Sequence, residues 1–271
     1  MNDVNFNTEY VVEEYLRDGH EFTAVCSKNG LVGIIASIDP SKTVFECIKD
    51  QIPYGLEYLN TEQTRDVFPG VESFAIQCMK TLFHQPICAL VFIRGFYQSH
   101  SNIYFIGASL EPRSKTMCKL MQQSHKPFSW ESIQLTNVLH TMDLKIDLRD
   151  SFSEHSSNYN MVINFPTSEG ILLHQTSIRK RNAMIRVAWR VSEGEEIFDS
   201  DSVDDNILQV FMSHTNRDEL LSELNDVMTM TDIAVDRLCL IDKHNVCRRV
   251  QHRLACRTNG AQLVRSCTTV D

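Results

Sequence analysis

No stretch of this sequence approaches the roughly 18–20 consecutive apolar residues that a membrane-spanning helix requires, so no membrane partner is expected. The opening residues, MNDVNFNTEYVVEEYL, have neither the basic start nor the apolar run of a secretory leader. Nine cysteines (26, 47, 78, 88, 118, 239, 247, 256 and 267) are odd in number and follow no framework spacing. Reduced thiols in a cytosolic or nuclear protein are the expectation. Phosphate loops of the GxxxxGK(S/T) and GxGxxG types are absent, which removes the commonest nucleotide-binding signatures. The plentiful serines and histidines occur in no GxSxG context. Nothing reads as a basic recognition helix, which argues against sequence-specific DNA reading.

What is present supports a folded protein. The chain has 271 residues, 42% of them hydrophobic, which is enough for one large domain or two ordinary ones and argues against wholesale disorder. A net charge of −9 excludes a protein that coats nucleic acid with its whole surface. The charge is uneven. Residues 193–205 hold seven acids and no Lys or Arg, and just before them stand Arg179, Lys180, Arg181, Arg186 and Arg190.

Along the chain, residues 8–18 read as a short amphipathic helix. Asn29-Gly30 marks a hairpin between two β-rich runs, and a third strand is predicted over 43–48. An offset of about 140 residues gives a similar series: a helix near 148–157, Gly170 in the place of Gly30, and Met184-Ile185 in the place of Val44-Phe45. Residues 72–78 are predicted as a strand, 78–84 as a short helix, and 88–110 as a long hairpin turning at 99–102. In the second half, 207–213 reads as a strand and 217–228 as a helix, followed by further strands with turns at 243–245 and 259–260. Residues 111–133 are polar, carry two prolines and read as a crossover linker. The predicted fold is α+β: two duplicated domains, 1–112 and 134–271, joined by a connector over 113–133.

Three segments add a resemblance. CSKNGLVGIIASIDPSKTVFECIKDQIPYGLEYL, SFAIQCMKTLFHQP and LKIDLRDSFSEHSSNYNMVINFPTSEGILLHQTS resemble the PCNA-type sliding-clamp family, in particular its Rad-one branch in the nine-one-one DNA-damage checkpoint ring. RTNGAQLVRSC looks like the final hairpin of that branch. The resemblance implies a non-catalytic, nuclear subunit of a heterotrimeric ring without cofactor. Its partners would be two other clamp subunits, a clamp loader, and double-stranded DNA held without sequence specificity; the ring would recruit checkpoint and repair factors. Basic residues on lining helices would face phosphates: Arg17, Lys80, Lys145, Arg149 and Arg217. Edge strands near 102–110 and 182–189 would pair between subunits, with Ile103, Phe105, Met184 and Arg186 as interface candidates. Met117, Leu120 and Met121 are candidates for a docking pocket. Two of the four candidate lining helices are net acidic, which does not suit a DNA-gripping surface.

The residues also suggest other chemistry. Cys239, His244, Cys247, His252 and Cys256 lack the paired spacing of structural zinc sites, so no metal is expected there. Asp143, Asp147 and Asp150, at i, i+4 and i+7, could stack on one helix face and suit a metal-dependent exonuclease, although Asp143 falls in the preceding strand and three such acids read equally as a solvated face. An adaptor that binds only proteins, without DNA contact, is the third alternative.

Overall fold

The β-rich runs alternate two sets of side chains, and the structure gives each set its own layer of helices. In this computed structural model, described here over residues 15–28, 30–83, 89–112, 114–125, 132, 134–135, 158–178, 183–200 and 202–236, eight strands form one antiparallel sheet. They are β1 (His20–Ser27), β2 (Gly30–Ser37), β3 (Tyr54–Asn60), β4 (Val91–Ser99), β5 (Asn102–Ser109), β6 (Tyr159–Pro166), β8 (Met184–Trp189) and β10 (Asn206–His214). Their order is β5-β4-β1-β2-β3-β6-β10-β8. A smaller sheet has the order β11-β7-β9, from β7 (Gly170–His174), β9 (Glu196–Ile197) and β11 (Ala234–Asp236).

Strand β3 shows how the faces divide, because successive side chains point to opposite sides. Gly55, Glu57 and Leu59 meet the layer that contains α2 (Thr61–Val67), α3 (Val71–Leu82) and α5 (Arg217–Met230). Tyr54, Leu56 and Tyr58 meet α1 (Val44–Lys49) and α4 (Lys115–Ser124) on the other side. Leu220, Leu224 and Val227 of α5 recur at helical spacing and join Met161, Ile163, Leu208, Val210 and Met212 in one core. Burying each large apolar side chain contributes about 1.5–3 kcal/mol. A second core packs Val71 and Ala75 of α3 on Phe22, Ala24, Ile34 and Ile93.

Several sequence expectations are corrected here. Residues 43–48 are not a strand: Thr43 caps α1, accepting from the Glu46 amide, while Glu46 accepts from the Thr43 amide at 2.9 Å. That reciprocal capping box overrides the β preference of Val44 and Phe45. Residues 72–78 belong to the continuous helix α3, whose buried Val71 and Ala75 are one turn apart. The polar connector is in part the buried helix α4.

The duplicated clamp architecture also fails. Strands β1 and β2 form a hairpin, whereas β6 pairs with β3 and β10, and β7 pairs with β9 and β11. Gly30 and Gly170 both have positive φ, +122° and +155°, but only Gly30 opens a hairpin return strand. The second series therefore repeats a local pattern without repeating the pairing. Strands from both predicted domains share one sheet through β3 and β6, with Tyr54 opposite Asn164 and Tyr58 opposite Asn160.

Candidate functional site

Polar side chains gather on the sheet face that carries α1 and α4. On the other face, the described layer is mostly apolar. Its main ionic tie is a bidentate pair in which Arg217 donates from Nε and Nη2 to fully buried Glu57 at 2.9 and 2.8 Å.

On the α1 side, Glu21, Thr23 and Arg94 share a face, with Thr23 opposite Arg94 across β1 and β4. Arg94 lies over Gly107 of β5, where a Cβ would sit 2.7 Å from the guanidinium Nη2. Burial raises the Glu21 carboxyl above its usual range; the Val44 amide and Arg94 act against the rise and Glu46 adds to it. At the centre of the face, Tyr58 Oη and His125 Nε2 are 2.5 Å apart. Burial pushes His125 down to about 4, so its imidazole is neutral at ordinary pH.

On the α4 side, a chain of hydrogen bonds ties the helix start to the sheet. Ser114 caps α4, and Asp204 accepts from Ser114 Oγ at 2.7 Å, the Lys115 amide at 2.9 Å, and the Thr116 amide and hydroxyl at 3.2 Å. Burial opposes the Asp204 charge, but these donors outweigh it and hold the carboxyl below its usual range. Gln209, fully buried, donates to Thr116 Oγ1 at 2.7 Å and to Asn164 Oδ1 at 2.9 Å. Its Oε1 accepts from Arg190 Nη2 at 2.8 Å. Arg186 is on the same side, since it pairs with Phe211 as Ala188 pairs with Gln209. Lys115 and Lys119, one helical turn apart on α4, complete a group of four cations. Burial, followed by repulsion from Arg190 and Arg186, lowers the Lys119 ammonium below its usual range.

The sequence-predicted candidates fall elsewhere, Arg186 excepted. Lys145 and Arg149 lie outside the described residues, as do Asp143, Asp147, Asp150, Cys239, His244, Cys247, His252 and Cys256. Arg217 is spoken for by Glu57, Arg17 stacks over the Tyr15 ring at 5.2 Å, and Lys80 stands exposed on α3. Ile103 and Phe105 are on β5, Met184 and Arg186 on β8, the two edges of the large sheet. Leu120 and Met121 are fully buried under α4, with Met117 packed beside them, so the first two line no open docking pocket. The charged cluster itself was missed: Glu21, Arg94, Lys119 and Arg190 are far apart in sequence. The available signal was Arg186 on the strand predicted over 182–189, with Arg190 one residue beyond its end and on the same side.

The chain is similar in structure to phosphoribosylglycinamide synthetase from Anaerococcus prevotii, with a TM-score of 0.54, 11% identity, and coverage of 83% of this chain and 55% of that one. It is also similar to an L-amino acid ligase from Bacillus licheniformis, with a TM-score of 0.55, 13% identity, and coverage of 82% and 55%. The biotin carboxylase domain of a single-chain bacterial carboxylase gives a TM-score of 0.50 at 11% identity, covering 82% of this chain and 50% of that one. The fold is of the ATP-grasp type. No family profile matches the sequence, and no curated protein matches it either. The chain spans about half the length of these solved neighbours.

This fold overturns the clamp reading. A Rad-one-like subunit of a checkpoint ring, with two clamp partners, a clamp loader and encircled DNA, does not agree with neighbours that are ATP-grasp enzymes. The expectation of a non-catalytic clamp subunit, and the exonuclease and adaptor alternatives, find no match among these neighbours. Short hairpins had carried the resemblance, and such hairpins occur in many folds; strand order separates the two architectures, and it is set by distant pairings.

Proposed function

We propose that this chain forms part of an ATP-dependent ligase or carboxylase of the ATP-grasp type, with its chemistry on the α1 and α4 face of the large sheet. One observation carries the reading: the fold likeness to two ligating enzymes over more than four-fifths of the chain. The polar face supports it. Phosphoryl transfer relies on positioned cations that hold phosphate oxygens while charge shifts among them. Arg94 at one end of the face and Lys119, Arg186 and Arg190 at the other are cations of that kind. Neutral His125 and the polar pair Gln209 and Asn164 lie between them, on strands and a helix held rigid by the cores.

An ATP-grasp reading implies a divalent metal to accompany the nucleotide phosphates. Among the described residues, no three His, Cys, Asp or Glu side chains come together as such a site requires. The described residues therefore do not by themselves fit a metal.

The experiment uses the full chain with ATP, magnesium and a panel of carboxylic acids, each offered with amines or with bicarbonate. Binding of ATP by calorimetry and release of phosphate that depends on one class of acid are expected. A chain that binds no ATP at millimolar concentration, and releases no phosphate with any acid, would falsify the reading.

A further inference from the structure

The acid-rich segment that follows β8 is not used by the proposed chemistry, and its serines differ in what holds them. Ser200 accepts from the Thr167 amide at 2.7 Å and donates to the Asp205 carbonyl, so its hydroxyl is engaged on both sides. Ser202 stands exposed, and among the described residues its hydroxyl only accepts, from the Asp204 amide at 3.3 Å. The Asp205 amide donates to the Ser202 carbonyl at 3.1 Å and closes a short turn over 202–205. In sequence, Ser202 has Asp199 and Asp201 at positions −3 and −1, and Asp204 and Asp205 at +2 and +3. No Lys or Arg occurs between 193 and 205. Ser192 also has an acid three residues on, Glu195, but Arg190 stands two residues before it.

We infer that Ser202 is a phosphorylation site for an acid-directed serine kinase, and that the modification loosens the start of α4. A kinase of that class carries basic groups beside its serine pocket, and acids flanking the hydroxyl are what those groups select. Ser202 Oγ attacks the γ-phosphorus of ATP, the bond to the bridging oxygen breaks, and ADP leaves. The hydroxyl proton passes to a base of the kinase. The product adds a charge of about −1.5 to −2, two residues from Asp204. That carboxylate is half-buried, and it keeps its charge because Ser114, Lys115 and Thr116 donate to it at the start of α4. Repulsion between two anions on one turn draws Asp204 away from these donors, which is the disruptive case of a phosphate beside acids. Thr116 also accepts from Gln209, which in turn orients Arg190, so the loosening reaches the cationic end of the face. An effect on catalysis rests on the ligase reading; the modification and its effect on α4 do not.

The test incubates the full chain with ATP and a purified acid-directed serine kinase, and maps phosphate by peptide mass spectrometry. Ser202 should carry most of the phosphate. S202A should lose that incorporation, D205N should slow it, and S192A should behave like the wild type. Hydrogen exchange is then read at the Lys115 and Thr116 amides, which donate to Asp204, in phosphorylated and untreated chain. Both amides should exchange about tenfold faster after phosphorylation, as the weakening of a charge-assisted hydrogen bond implies. Amides of β1 should stay as protected as before. Phosphate found elsewhere with Ser202 unmodified, or incorporation into S202A equal to that of the wild type, would overturn the site. Phosphate on Ser202 with unchanged exchange at both amides would overturn its effect on α4. Neither readout needs ligase activity, so a chain without that activity still tests the proposal.

Discussion

His125 is the side chain whose charge the fold constrains most clearly. It is 2% exposed, sits against Tyr58 and holds its proton only below about pH 4. An unfolded histidine protonates near its ordinary value of 6.5. Between these values the unfolded chain takes up a proton that the folded chain refuses. The contribution to stability is therefore full above pH 6.5 and is lost as pH falls toward 4. Its size is on the order of 3 kcal/mol if the whole shift is realised. Denaturant melts of the wild type and H125F at several pH values should show a flatter acid limb in the variant, even though the lost hydrogen bond to Tyr58 lowers its stability throughout. Identical slopes would assign the acid sensitivity to other groups.

Between elements, the firmest polar tie joins β3 to the start of α5. Arg217 is held above its usual range, chiefly by its hydrogen bonds to Glu57. The carboxylate has no exposure of its own, so losing the arginine strands a buried charge. R217M should destabilise the protein by about 3–5 kcal/mol, whereas E57L/R217M, which removes both charges, should recover most of the loss. Chemical denaturation of the two variants decides this; a double variant as weak as R217M would show that packing, not charge, was lost.

The same scale shows what was legible beforehand. The hairpin of β4 and β5, the strand β10 and the helix α5 follow from local periodicity and were read with nearly correct bounds. Helix α1 was read as a strand because Val44 and Phe45 favour β structure, while the capping box of Thr43 and Glu46 is an equally local signal that outweighs it. Helix α4 was read as a linker because its exposed residues are polar; its buried Thr116, Leu120 and Met121 lie on one helical stripe. The charged site was not legible, because only the pairing of β10 with β6 and β8 brings α4 residues beside Arg190.

For the whole molecule, the single sheet matters more than the number of apparent repeats. Among the described residues β6 is the partner on the outer side of β3, so residues 1–135 alone would present it as a bare, largely apolar edge. Expressed separately, residues 1–135 and 136–271 should each aggregate or remain unfolded, and coexpression should restore a soluble complex. Size-exclusion chromatography and circular dichroism report the outcome; a stable monomer from residues 1–135 would contradict the unity of the sheet. Two independent clamp-like domains would have tolerated the cut.

Tyr54 meets Asn164 only after more than a hundred further residues have been made. At a synthesis rate of about 5–20 residues per second, the first five strands therefore wait several seconds on the ribosome beside an unfilled place. During that interval the unpaired edge of β3 is open to pairing with a neighbouring polypeptide. Slower translation between codons 60 and 160 should lengthen the exposure and lower the yield of soluble protein.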